Sequence, residues 1–227
     1  LPVTGLITSI FLLGEDPPKQ VFMGGLVIIS GVALILFTRS KKKKGGHKMK
    51  IGFIGLGNVG GKLAGSLMRN KFDIIVRDLD NKLTNKFSDL GASIASSSKD
   101  LAEKADLIIT CLPSPEVCSK VMESEDGVIK GLSKNKVWLE MSTTDSAEIK
   151  RIGALVKATG AIPLDCPVSG GCHRAATGNI AILVGGDKNA FNKILPALSA
   201  MGRKILHTGE LGSASILKVI TNYLASV

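Results

Sequence analysis

Aromatic side chains are scarce in this 227-residue chain, at 4%, with one Trp, one Tyr and seven Phe. Acids are also outnumbered, 19 Asp and Glu against 29 Lys and Arg, for a formal net charge of +10 and an isoelectric point near 9.5. Such a balance suits a nucleic-acid partner only where basic residues interleave with aromatics on one surface. No stretch of this sequence does so, and no nucleic-acid partner is expected. Histidines number three and cysteines four, Cys111, Cys118, Cys166 and Cys172, with no C-x-x-C pair and no His-rich cluster. That spacing excludes the usual zinc sites, so no metal is expected and the cysteines read as reduced, mostly buried thiols. The positive charges follow the apolar core rather than precede it, so no secretory signal peptide is expected.

What the chain does have is a sharp division near residue 48. The run "VFMGGLVIISGVALILF", Val21 to Phe37, holds 17 residues without a charge and is followed by "TRSKKKK". This is the lower limit for crossing a hydrocarbon core of ~30 Å. Lysines on its C-terminal side predict that side to be cytoplasmic. The preceding segment, from Leu1, ends in a Gly-Glu-Asp-Pro-Pro turn, so residues 1–40 read as a membrane-spanning helical hairpin and residues 41–48 as a basic linker. Through Lys48 there are seven Lys and Arg against two acids, and these residues supply most of the excess behind a mean hydropathy of +0.27. "LPVTG" matches a sortase sorting signal, but a polar turn and a further domain follow it. The whole stretch to Phe37 resembles better the last two helices of drug/metabolite (EamA-like) transporters. Leu1 is not an initiator Met and "NYLASV" stops in a helical pattern, so the chain is expected to be a fragment.

From Met49 the pattern changes. "MKIGFIGLGNVGGKLAGSL" reads as a strand, a tight turn at Gly55-x-Gly57-x-x-Gly60, and a helix. Gly55 is expected to make the turn, Gly57 to let backbone N–H groups reach a pyrophosphate, and Gly60 to let helix pack on strand. A second strand, "FDIIVRDLD", ends at Asp78, 18 residues beyond Gly60. An acid there hydrogen-bonds the ribose of NAD and repels a 2′-phosphate. Arg77 beside it is of the type that receives that phosphate, which makes NADP the second candidate. Helices and short apolar strands then alternate through "IAILVGG", which predicts an α/β, Rossmann-like, doubly wound and mostly parallel sheet over residues 49–210. Cofactors bind at the C-terminal ends of such strands, which draws attention to Leu112-Pro113 and Ser142-Thr143.

Two later motifs carry further chemistry. "DCPVSGG", Asp165 to Gly171, delivers a hydroxyl and free backbone N–H groups suited to a carboxylate, although a plain turn would read the same. "GELGSASILKVITNYL" sets Lys218 and Asn222 four residues apart on one helix face, although a solvated pair would do likewise.

Taken in order, "GFIGLGNVG", "CLPSP", "MSTTD", "DCPVSGG", "ILVGG" and "GSASILKVITN" resemble the β-hydroxyacid dehydrogenase family, in its 3-hydroxyisobutyrate dehydrogenase branch. The family often has Met at Val59 and a second Gly at Ala214; neither departure removes a chemical group. The resemblance implies a cofactor site of Gly55, Leu56, Gly57, Asn58, Val59, Gly60, Arg77 and Asp78, with Leu112, Pro113 and Thr143 along the nicotinamide. It implies substrate contacts from Ser169, Gly170, Gly171 and Asn222, and Lys218 as acid/base. The phosphogluconate branch carries His and Glu after its Lys, which "KVITNYLAS" lacks. A small 3-hydroxy acid is therefore the implied substrate, with 3-hydroxyisobutyrate and short semialdehydes as candidates. Family members also have an all-helical C-terminal domain that completes the pocket and a homodimer or tetramer. Here residues 211–227 would be only the start of the connecting helix, so that domain is expected to be missing and turnover by the fragment poor. Translation from Met49 would make a cytoplasmic protein. Genuine residues 1–48 would anchor the Rossmann domain to the inner or plasma membrane, in which case a membrane-tethered dinucleotide sensor or a transporter-fused protein without catalysis is the alternative.

Overall fold

The structure, a computed structural model, describes residues 23–25, 27–28, 30–32 and 49–226. The chain divides into two units, Leu1–His47 and Lys48–Val227. In the first, the described residues are helical, and most of the expected hairpin over 1–40 lies outside them. Among the described residues no helix is long and apolar enough to cross a membrane.

The second unit is built on a nine-stranded sheet. Strand β1 (Lys50–Ile54) is followed by α1 (Gly60–Arg69), β2 (Asp73–Arg77), α2 (Asn81–Asp89), β3 (Ser93–Ile94), α3 (Ser98–Lys104) and β4 (Leu107–Thr110). Then come α4 (Pro115–Glu123), α5 (Val128–Gly131), β5 (Val137–Glu140), α6 (Ser146–Ala158), β6 (Ile162–Asp165) and β7 (Val168–Ser169). The unit closes with α7 (Gly171–Ala176), β8 (Ile180–Gly186), α8 (Lys188–Met201), β9 (Gly202–Gly209) and α9 (Ser213–Ser226). The order β3-β2-β1-β4-β5-β6 is parallel throughout, with a switch between β1 and β4. Strand β8 runs antiparallel to β6 and β7, and β9 adds parallel to β8. This is the Rossmann-like, mostly parallel α/β fold.

Alternation along the strands builds the two faces. Ile51, Phe53, Leu107, Ile109, Val137 and Leu139 face one core with Leu63 and Leu67 of α1 and Ile194 and Leu198 of α8. Ile54, Ile108 and Trp138 face the other with Leu101 of α3, Met122 of α4 and Ile152 of α6. Strands covered on both sides are apolar nearly throughout, which is why they read as continuous Val and Ile runs.

Two local details differ from the sequence expectation. "AIPLDCPVS" is not one strand; it breaks at Cys166-Pro167, where proline has no N–H for the ladder, and its carbonyl accepts the Leu183 N–H at 3.1 Å. The strand through "VWLEMST" ends at Glu140, because the Ser142 N–H turns back onto the Glu140 carboxylate at 2.7 Å.

Candidate active site

Most helices of the second unit are closed at their N-termini by a side chain. Asp80 caps α2, Ser97 caps α3, Ser114 caps α4, Asp145 caps α6 and Asp187 caps α8. Each such bond occupies one of the otherwise orphaned N–H groups and is worth about 1 kcal/mol. Helix α1 is the exception among the longer ones. Its N-cap is Val59, with no side-chain bond and no acid in the first turn. Among the described residues, the N–H groups of Asn58, Val59 and Gly60 find no protein acceptor. A helix start left open in this way, at the positive end of the helix dipole, suits a phosphate group.

The glycines before it behave as their spacing suggests. Gly55 has φ +95°, where a side chain is strained. A Cβ on Gly60 would collide with the Gly55 carbonyl oxygen, so helix and turn are in direct contact. A Cβ on Gly57 would meet nothing within 4 Å, and the backbone there stays approachable. The turn is held from β2: the Gly55 N–H donates to the Arg77 carbonyl at 3.0 Å, and the Leu56 N–H donates to Asp78 Oδ2 at 2.6 Å. Asp78 Oδ1 accepts the Asp80 N–H at 2.9 Å. Both oxygens of Asp78 thus organise backbone, and each keeps a lone pair for a ribose hydroxyl.

These groups open onto a cleft of ≈ 900 Å³, a volume in the range of small-molecule and cofactor sites. Gly55, Gly57, Asn58, Val59, Gly60, Arg77 and Asp78 line one part, with Ser96 to Ser98; Leu112, Pro113, Ser142 and Thr143 line another, with Val168. Leu56 is the expected cofactor residue that the structure does not place there. Its side chain is 2% exposed and packs in the core, leaving only its backbone N–H at the turn. Ser169, Gly170, Gly171, Lys218 and Asn222 also stand outside the cleft lining, Ser169 next to Val168. Gly170 and Gly171 both have positive φ, +125° and +74°. Lys218 is half-buried, and partial burial lowers its ammonium below the ordinary pKa of 10.5. Asn222 is exposed.

Two buried carboxylates behind the cleft escaped the sequence reading. Glu140 and Asp165 are register partners on adjacent strands and both are fully buried. Asp165 accepts the N–H groups of Gly212 and Ser215, each at 2.8 Å, and the Ser215 hydroxyl at 3.1 Å. It therefore caps α9, the helix that carries Lys218. Glu140 accepts the Thr110 hydroxyl at 2.6 Å, the Cys118 thiol at 2.7 Å and the Ser142 N–H at 2.7 Å. Burial pushes its carboxyl above the ordinary value of 4.5, against the opposing pull of those donors. Burial and the neighbouring Glu140 push the Cys111 thiol up to about 12, so this cleft cysteine stays protonated. The available signal was an acid closing an otherwise apolar strand run, in "VWLE" and "IPLD".

Among known proteins, the family described as the NAD binding domain of 6-phosphogluconate dehydrogenase matches residues 50–209. The chain belongs to this family. As an NAD-binding domain of that family it is similar to mitochondrial 3-hydroxyisobutyrate dehydrogenase of Rattus norvegicus, 36% identical over 180 residues, covering 79% of this chain and 54% of the relative. It is also similar to a probable 3-hydroxyisobutyrate dehydrogenase of Dictyostelium discoideum, 33% identical over 195 residues, covering 86% and 61%. The Mycobacterium tuberculosis 3-hydroxyisobutyrate dehydrogenase, solved with L-serine, superposes with a TM-score of 0.72 at 28% identity, covering 79% of this chain and 62% of that one. The chain thus spans a little over half the length of these relatives. The transporter-like reading of residues 1–40 draws no support from them.

Proposed function

We propose that this NAD-binding domain serves an oxidoreductase that interconverts a small 3-hydroxy acid, of the 3-hydroxyisobutyrate type, with its semialdehyde. The observation that carries the reading is the uncapped start of α1, opening onto the ≈ 900 Å³ cleft beside Asp78. When bound, the nicotinamide cofactor takes or returns the hydride, so the chain needs no nucleophile of its own. The N–H groups of Asn58, Val59 and Gly60 hold the pyrophosphate, with Gly55 and Gly57 shaping its approach. Asp78 takes the adenosine ribose and favours NAD over NADP. Leu112, Pro113 and Thr143 line the nicotinamide half.

Ser169, Gly170 and Gly171 hold the substrate carboxylate, Asn222 orients the substrate, and Lys218 moves the proton on the oxygen that alternates between hydroxyl and carbonyl. A free amine of pKa ~10.4 is a poor base near neutrality. The lowering of Lys218 by partial burial acts in the required direction. The absence of the phosphogluconate-type His and Glu after Lys218 favours a substrate without phosphate.

The test is 3-hydroxyisobutyrate-dependent NADH formation by the full-length protein. Lys218→Ala is expected to lower turnover about a thousand-fold while leaving NADH affinity within about two-fold. A variant that retains about a tenth of the rate overturns the role of Lys218.

A further inference from the structure

The Rossmann cleft has two halves, and only one of them is held by its glycine turn. An acid at the end of the second strand takes the adenosine ribose, so the adenosine half lies on the β2 side of the turn and the other half lies over the ends of β4 and β5. On that second side the cleft wall includes two loops, Leu112-Pro113 and Ser142-Thr143. They are joined by one bond, from the Leu112 N–H to Ser142 Oγ at 2.7 Å. Ser142 is itself fixed from behind, its N–H donating to Glu140 Oε1 at 2.7 Å.

The direction of the network follows from its donors. The Trp138 Nε1–H can only donate, and it donates to Thr110 Oγ1 at 2.9 Å. The single hydroxyl hydrogen of Thr110 is then the one that Glu140 Oε2 accepts at 2.6 Å. Cys118 of α4 adds its thiol to the same oxygen. Trp138, Thr110 and Glu140 are all 0% exposed, so no water can replace a missing partner without rearrangement. Three elements, β4, α4 and β5, converge on one carboxylate whose remaining oxygen reaches the cleft loop.

We infer that Glu140 is a positioning residue for the nicotinamide half of the cofactor: it fixes Ser142, and Ser142 holds the Leu112 backbone against that half of the cleft. The inference rests on the cofactor reading given above. Glu140 touches neither cofactor nor substrate and acts only through Ser142.

The test is a fluorescence titration of the chain with NADH, set beside calorimetric titration with ADP-ribose, which lacks the nicotinamide. Glu140→Ala is expected to weaken NADH about ten-fold, the worth of one strong hydrogen bond, and to leave ADP-ribose within about two-fold. Glu140→Gln keeps a carbonyl oxygen for the Ser142 N–H but turns an amide NH2 onto the Thr110 and Cys118 donors, and its NADH affinity is expected to fall between those of wild type and Glu140→Ala. Ser142→Ala removes the link to Leu112 while sparing the buried carboxylate, and is expected to reproduce the NADH loss with an unchanged melting temperature. This second variant decides the matter where Glu140→Ala fails to fold. NADH affinity unchanged in Ser142→Ala, or equal losses for NADH and ADP-ribose in either variant, overturns the inference alone. Wild-type chain that binds neither ligand overturns the cofactor reading and the inference with it.

Discussion

The two rims of the cleft are held together in opposite ways. On the β1–β2 rim the organising acid, Asp78, stands at the surface of the cleft, accepts two backbone N–H groups and is free to meet a ligand. On the β4–β6 rim the organising acids, Glu140 and Asp165, are fully buried and reach the site only through other residues. On the proposed reading, the first arrangement makes one residue both scaffold and binding group. The second separates the two jobs, so that cleft residues such as Leu112 and Thr143 need carry no charge.

The difference explains why the organising acid of one rim could be read from the sequence and those of the other could not. Gly55, Gly57, Gly60 and Asp78 lie within one βαβ unit, where a tight turn, an open helix start and the end of the next strand have fixed spacings. Glu140 draws its partners from Thr110, Cys118 and Ser142, and Asp165 draws its own from Gly212 and Ser215. Such separations follow from strand order, which no local pattern encodes. The alternation of apolar strands and helices was legible because parallel strands are buried on both faces. Strand β9 was missed because "GRKILHTG" is an edge strand with exposed Arg203, Lys204 and Leu206. Leu56 shares the glycine turn with its neighbours, but its side chain serves the core, a division between backbone and side chain that the motif alone does not reveal.

The largest expected effect lies on the buried rim, at the residue that Asp165 helps to place. Lys218→Ala should lose about three orders of magnitude in turnover of the full-length protein, measured by steady-state kinetics, whereas its cofactor affinity stays near wild type. Next is the anchor itself. Asp165→Ala leaves the Gly212 and Ser215 N–H groups buried and unpaired, and should cost about 3 kcal/mol of unfolding free energy by denaturant titration. A loss below about 0.5 kcal/mol would mean that α9 is held by its apolar contacts and not by the carboxylate.

On the open rim, Gly60→Ala drives a Cβ into the Gly55 carbonyl oxygen. Overpacking of this kind costs about 2 kcal/mol, which should appear as roughly a thirty-fold loss of NADH affinity if the turn opens to relieve it. Unchanged affinity would show that the turn and α1 can separate without harm to the site.

The smallest effect is a pH dependence carried by Glu140. Burial raises the Glu140 carboxyl above its ordinary value of 4.5, so the fold favours the protonated form. The stability this contributes is fully present below the ordinary carboxylate range and is lost as pH rises through the raised value. Wild type should therefore lose stability relative to Glu140→Gln as pH is increased from about 4 upward, in paired thermal melts. A difference that moves the other way would mean that the donors from Thr110, Cys118 and Ser142 outweigh the burial.

The central claim is that the uncapped turn and Asp78 together make an NAD site, and fluorescence titration of the chain with NADH and then NADPH tests it most directly. The account predicts saturable binding with NADH the tighter ligand. NADPH binding about ten-fold tighter would contradict the role given to Asp78, and no saturable binding of either would contradict the site itself.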